Sequence, residues 1–429
     1  MDKNKRVGFD KQKIESVTDE ERTNTREKIQ DVAFVFVFFL FFLMLVEAVV
    51  EYNYWNDYVM DHPDTFCLLG KCAIGAFVII LLLKIKDMSF DDIKEYIKTH
   101  IWDTCFFMML VWCTISAFLA EYREISLWGA GTRRSGLLSF YIYASFYLFG
   151  RLLANTKRFK HILYLFLFGA VIQQFIILSG LLGLGGWLSG TFINTNHCGY
   201  FLSMTVFTMA GLIYLENNKI LKFFEYVFLG MDIFCLVMND TFGSYLAVAF
   251  GLVFMIIIYW LRYKNIKLDV IMAVVLFVVV SFVTDRGTGI VRNNLGVTGR
   301  DVTGIVQEKD DMNMAGSGRW KIWKDSVKLI KETPVFGCGA DTSDLYMNNI
   351  SHNEILQYTM ENGFPAIICY LSGLIILFVS KIKKIGQLSE REMICGCAVF
   401  AYLISSLFGI IIFSAVTFFW LLLGILGEK

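Results

Sequence analysis

Residues 268–293 read LDVIMAVVLFVVVSFVTDRGTGIVRN, an apolar run that stops at Thr284. From Thr284 to Asn353 the chain stays polar, the only long water-compatible stretch after residue 31. Outward from it in both directions, apolar runs of about 16–20 residues recur, each able to cross a hydrocarbon core of about 30 Å. They are expected near 32–50, 65–83, 101–120, 137–153, 161–179, 198–215, 222–238, 245–261, 269–283, 364–380, 393–408 and 411–426. The fold class is an all-α polytopic membrane protein with about twelve transmembrane helices and one large loop. Its parts are a tail at 1–31, helices over 32–283, the loop at 284–353 and closing helices over 354–429.

Composition agrees. The chain is 56% hydrophobic and only 18% charged, against about 25% in a soluble domain. Its net charge is zero, which points away from a nucleic-acid partner. Most of the ten cysteines lie inside apolar runs, where Cys acts as a small hydrophobe. No CxxC or Cys/His spacing lies in a loop, so neither a disulfide framework nor a metal site is expected. The first 31 residues carry both signs of charge and read as a soluble tail rather than a cleaved leader.

Lys and Arg set the orientation. The tail carries eight; the alternate connections 84–100, 151–160, 216–222, 261–269 and 381–392 carry four, four, two, three and four. The opposite connections 51–64, 180–197 and 239–244 carry none. Both termini are therefore expected in the cytoplasm, with the large loop outside. Arg123, Arg133 and Arg134 lie on that outer side against the trend. They suit an anionic partner, or equally lipid phosphate at headgroup depth.

Four outer segments carry chemistry-bearing residues. Trp320, Trp323, Val327 and Ile330 share one face of a helix expected over Arg319–Lys331, with lysines beside them. Such a helix suits the membrane interface, whether or not it does anything further. Ser351-x-x-Glu354 has capping-box spacing, which would put His352 at the first helical position. The helix dipole there disfavours imidazolium, and a neutral imidazole is what a general base requires. A histidine bonded to nearby backbone is the plainer account. Gly190–His197 and Asn239–Ser244 are dense in short hydrogen-bonding side chains without Lys or Arg. They suit sugar hydroxyls, and they suit ordinary turns and caps equally well. Glu47, Lys71, Asp103, Gln173, Gln174, Glu225 and Asp232 are scattered, mostly near span ends. They do not form the paired broken helices of many transporters.

The stretch 316–376 carries a resemblance. It runs Gly316-Ser317-Gly318-Arg319-Trp320-x-x-Trp323, then Leu329-Ile330-Lys331-Glu332-Thr333-Pro334-Val335-Phe336-Gly337-Cys338-Gly339, then Ser351-His352-Asn353-Glu354-x-Leu356-Gln357, then Glu361-Asn362-Gly363-Phe364-Pro365. In that order these segments resemble the bacterial O-antigen ligase and O-antigen/capsular polysaccharide polymerase family. Asn194-x-Asn196-x-x-Gly199 and Gly131-x-Arg133-Arg134-x-Gly136-Leu137 resemble two further family motifs.

The resemblance implies a class C type membrane glycosyltransferase of the bacterial cytoplasmic membrane, working on its outer face. Its donor would be a glycan on undecaprenyl diphosphate, with no cofactor, nucleotide sugar or metal. By position His352 would be the base and Arg319 the arginine near the diphosphate; Asn194, Asn196 and Asn353 would contact substrate. Thr241-Phe242-Gly243 stands where the family often has Ser-Arg-Gly, so Arg133 or Arg134 is expected to supply the second positive charge. The expected activity is polymerisation of lipid-linked repeat units, with inversion. A ligase passing the glycan to lipid A core, a wall polymer or a protein is the alternative, and a lipid or solute transporter a more distant one. A chain-length regulator and a flippase would be partners alongside membrane lipids.

Overall fold

The computed structural model describes residues 24–46, 63–86, 88–130, 134–192, 194–307, 312–411 and 413–428. Arg133 and most of the expected tail, 1–23, lie outside them. Among the described residues every regular element is helical. In chain order these are α1 (Asn24–Val46), α2 (Pro63–Lys86), α3 (Phe90–Thr99), α4 (Ile101–Leu119), α5 (Arg123–Trp128) and α6 (Leu137–Leu153). There follow α7 (Arg158–Leu181), α8 (Thr195–Leu215), α9 (Lys219–Met238), α10 (Phe242–Tyr263), α11 (Leu268–Thr288) and α12 (Ile290–Val306). Last come α13 (Arg319–Glu332), α14 (Ser343–Met347), α15 (Glu354–Lys383), α16 (Glu390–Ser405) and α17 (Phe413–Gly427).

Nine helices among the described residues are long and apolar enough to cross a membrane. The other three expected spans fall on α6 and α17, which are shorter, and on α9, which carries Lys219, Lys222, Glu225 and Asp232. Apolar side chains face outward along the long helices, such as Leu82 on α2 and Val278 and Phe282 on α11. A surface of that kind suits lipid, while the helices satisfy their own backbone groups.

At the centre stand α8 and α17, both almost wholly buried. Close approach sets how they are held. A Cβ added at Gly150 on α6 would strike the Leu421 carbonyl of α17, and one at Gly424 would strike the Tyr147 carbonyl. Two small residues thus let α6 and α17 pack backbone to backbone, the usual device where lipid removes the hydrophobic drive. Polar residues that look scattered in sequence partly come together. Thr205 Oγ1 donates to Asp232 Oδ2 at 2.6 Å, and Gln174 Nε2 lies 3.5 Å from Asp232 Oδ1, joining α7, α8 and α9. Arg151 lies 3.2 Å from Asp103 and 2.8 Å from Glu428, tying the chain end to α4 and α6.

The polar stretch is more ordered than its sequence suggests. Its first part forms α12, although the segment contains Gly296, Gly299 and Gly304. Asp285, at the end of α11, accepts hydrogen bonds from Val291 N (2.8 Å) and Arg292 N (3.2 Å) at the start of α12. The same carboxylate lies 2.7 Å from the Arg292 side chain.

Candidate active site

The scaffold of the site is a broken helix. α15 departs from helical geometry at Gly363 (φ 78°, ψ 171°), a region open essentially to glycine alone. Pro365 follows, so two carbonyls freed at the break need other donors. The segment Pro334–Gly339 supplies them: Cys338 N donates to Met360 O at 3.0 Å, and Gly339 N to Glu361 O at 2.9 Å. Phe364 N donates in return to Pro334 O at 2.9 Å. The approach leaves no room for side chains at Gly337 or Gly363, whose added Cβ atoms would meet Glu361 and Val335 backbone. From α4, Trp112 Nε1 donates to Val335 O at 3.2 Å and Ser116 Oγ to Phe336 O at 2.5 Å. Two of the motifs therefore form one structural joint, which fixes the short helix 354–362.

Arg319 is the first residue of α13, as its motif and periodicity predict. Of the apolar stripe, Ile330 is buried and Trp320 and Trp323 are half-buried, whereas Val327 is 42% exposed; Ser326 and Leu329 join the buried face. Leu329 and Ile330 pack with Cys338 and Met360, so α13 rests on the joint just described. Trp323 Nε1 donates to Ser351 O at 2.9 Å and thereby holds the turn that carries His352.

At that turn the expected cap is corrected. Asn353, not Ser351, is the N-cap of α15; its side chain accepts from Leu356 N at 3.0 Å. Ser351 is occupied elsewhere, its hydroxyl donating to Gln357 Oε1 at 2.8 Å. His352 thus precedes the helix and takes a left-handed conformation (φ 50°). It is half-buried, and its Nδ1 has no hydrogen-bond partner among the described residues. The neutral form is still favoured, for another reason. Burial and then the nearby Arg319 charge pull its pKa down to about 4. Burial also pulls the Arg319 guanidinium down, yet arginine remains cationic at neutral pH. A neutral base therefore lies within electrostatic reach of a fixed cation.

Asn194 and Asn196 are at the start of α8, largely engaged with each other. Asn194 Oδ1 accepts from Asn196 N and from Asn196 Nδ2, both at 2.8 Å. This is cap chemistry. Thr191 is held by a tertiary pair with Gln173 of α7, and turn chemistry accounts for Thr241, whose hydroxyl donates to Asn239. The Phe242–Gly243 position, where the family arginine is absent, lies against Phe408; a Cβ at Gly243 would press on that ring. Arg134 (φ 43°) sits on a loop that Asp341 holds, accepting from Ala130 N at 2.6 Å and Ser135 N at 3.0 Å.

Three further groups stand at the site, of which only His197 falls in a segment the sequence singles out, Gly190–His197. Tyr200 lies within electrostatic reach of Arg319, and its hydroxyl fills the space a Cβ at Gly409 would take. His197 is buried within reach of His352. The segment between α16 and α17 forms a further wall, where Asn353 Nδ2 donates to Leu407 O at 3.1 Å. Asn194-x-Asn196-His197 was the available signal for the first two, since α8 begins there.

Residues 226–371 match the family model described as O-Antigen ligase. The match spans Arg319, His352 and Asn353 and leaves Arg134, Asn194 and Asn196 outside. No curated protein matches the chain. The family match supports the O-antigen ligase/polymerase resemblance carried by the motifs, and with it glycan transfer at a membrane.

Proposed function

We propose that this chain, with its O-antigen ligase-type segment, is a metal-independent membrane glycosyltransferase using a glycan on a lipid diphosphate, undecaprenyl diphosphate in the family, as donor. The observation that carries the reading is the pairing of His352, kept neutral, with Arg319 at the start of α13. The acceptor hydroxyl attacks the anomeric carbon of the donor sugar as the bond from that carbon to the diphosphate oxygen breaks. The bonding pair leaves with the lipid diphosphate, and the acceptor proton passes to the His352 imidazole. Arg319 meets the charge that grows on the leaving group, which favours the transition state over the ground state. Attack opposite the leaving group inverts the anomeric centre.

The acceptor we propose is another lipid-linked repeat unit, so that the enzyme is a polymerase of cell-surface polysaccharide acting outside the cytoplasmic membrane. Asn353 is proposed to line the substrate path and Arg133 or Arg134 to supply a second positive charge; Asn194 and Asn196 act by shaping the start of α8. The test is genetic. His352→Ala and Arg319→Ala, at normal protein levels, should abolish long glycan and leave single repeat units on lipid. Long polymer left on lipid would mean a ligase. Unchanged glycan in both variants would remove the glycosyltransferase reading.

A further inference from the structure

The base has a buried neighbour that the transfer step leaves unused. Glu354, two residues after His352, is the first residue of α15 and only 2% exposed. Each of its oxygens accepts a tyrosine hydroxyl at 2.7 Å, Oε1 from Tyr370 and Oε2 from Tyr402. The Ser406 side chain lies close to it as well. Tyr370 belongs to α15 beyond the break at Gly363, and Tyr402 to α16. The carboxylate therefore spans the break. It ties the first turn of the short helix 354–362 to the membrane-spanning part of the same helix and to the helix that follows. Both tyrosine rings are buried and themselves fixed. Tyr402 stacks on Phe419 with centroids 4.2 Å apart, and Tyr370 meets Tyr358 edge-on at 5.4 Å.

Stability alone is a poor reason for such a group. Burying a carboxylate is costly even when it is well bonded, and an apolar side chain of similar size often serves stability as well or better. What an apolar side chain lacks is direction. Two hydroxyls aimed at two oxygens, at a helix N-terminus that favours negative charge, fix the placement of the first turn. That turn carries His352 in a left-handed conformation (φ 50°), which its surroundings must impose. Trp323 holds Ser351 on one side of it, and Leu407 O holds Asn353 on the other. Those contacts bind the turn to α13 and to the segment after α16, whereas Glu354 seats it on the far side of the break.

We propose that Glu354 is a positioning residue for His352: gripped by Tyr370 and Tyr402, its carboxylate sets the seat of the short helix and so the direction in which the imidazole meets the acceptor hydroxyl. The inference rests on the glycosyltransferase reading and deepens it. Glu354 acts through the turn, and a misplacement of about 1 Å at the reacting groups can cost about 100-fold in rate.

The test uses the full-length protein in detergent and reads the base in two ways. One is chain growth on a synthetic lipid-diphosphate repeat unit. The other needs no activity: the rate at which diethyl pyrocarbonate modifies His352, followed by peptide mass spectrometry, with the exposed His161 of α7 as internal reference. Glu354→Gln keeps the shape and removes the charge. It should lower kcat about tenfold or more and leave KM within about twofold. It should also let the reagent reach His352 severalfold faster relative to His161. Tyr402→Phe removes one hydroxyl and leaves the ring packing. It should move both readouts the same way by less, and it decides where Glu354→Gln fails to fold. In a His352→Ala background Glu354→Gln should cost nothing further, because nothing remains to be positioned. The proposal is overturned if His352 is modified at the parent rate in both variants, if KM rises while kcat holds, or if Glu354→Gln lowers the residual growth of His352→Ala as much as that of the parent. A parent without chain growth, or His352→Ala growing chains as the parent does, would instead remove the glycosyltransferase reading, and the modification rates would then decide the seat of His352 alone.

Discussion

The indole Nε1 of Trp323 donates a 2.9 Å hydrogen bond to the backbone carbonyl of Ser351, so α13 grips the turn that presents His352. Because Arg319 begins the same helix, one rigid element fixes both groups. Trp323→Phe keeps the ring packing and removes the donor. Chain growth should fall about fivefold, the worth of one hydrogen bond to positioning, with protein level unchanged. Activity equal to the parent would show that the contact does not position His352.

The acidity of His352 sets the pH profile. Burial and the Arg319 charge both oppose imidazolium, so its pKa falls from 6.5 to about 4. A base must be neutral to act, so activity should stay level between about pH 8 and 5 and drop only as pH nears 4. Arg319→Gln removes the positive neighbour, so the acid limb of the residual activity should move upward. The same shift bears on stability. The unfolded chain binds this proton more tightly, so the folded protein loses stability as pH falls from 6.5 through about 4. Pre-steady-state rates across this range would check the profile; an acid limb centred near 6.5 in the parent would contradict it.

Gly363 and Gly337 should be among the least replaceable residues. Alanine at Gly363 must adopt a conformation costing about 1–3 kcal/mol and also overlap the Val335 carbonyl. Gly363→Ala and Gly337→Ala should lower the melting temperature in detergent sharply. Gly296→Ala on α12 meets no atom and should be neutral or slightly stabilising. Equal melting temperatures for all three would refute the role of the joint.

The legibility of the chain follows the same physics. The helix beginning at Arg319 is readable because its start, its apolar spacing and its end before Pro334 agree. Ile330 of that spacing is buried as expected, but packing against Cys338 and Met360 brings Leu329 in beside it rather than Val327. The cap at Asn353 is misread as Ser351 because the Ser351 hydroxyl bonds instead to Gln357, on the second turn of the helix that follows. α12 is hidden by its glycines and declared only by Asp285 of the preceding helix. Asn194 and Asn196 satisfy cap and ligand patterns alike, and the geometry shows the cap.

Metal plays no part in the proposed charge accounting, because Arg319 meets the leaving group. Chain growth by purified protein should therefore persist after treatment with a chelator. Activity lost with chelator and restored by a divalent cation would contradict the metal-free step.

The most direct measurement gives purified protein a synthetic lipid-diphosphate repeat unit as its only substrate and follows product length. The account predicts stepwise growth with release of lipid diphosphate, reduced about 100-fold or more in His352→Ala and lost in Arg319→Ala. Growth that continues unchanged in both folded variants would contradict the central claim that His352 and Arg319 carry the transfer.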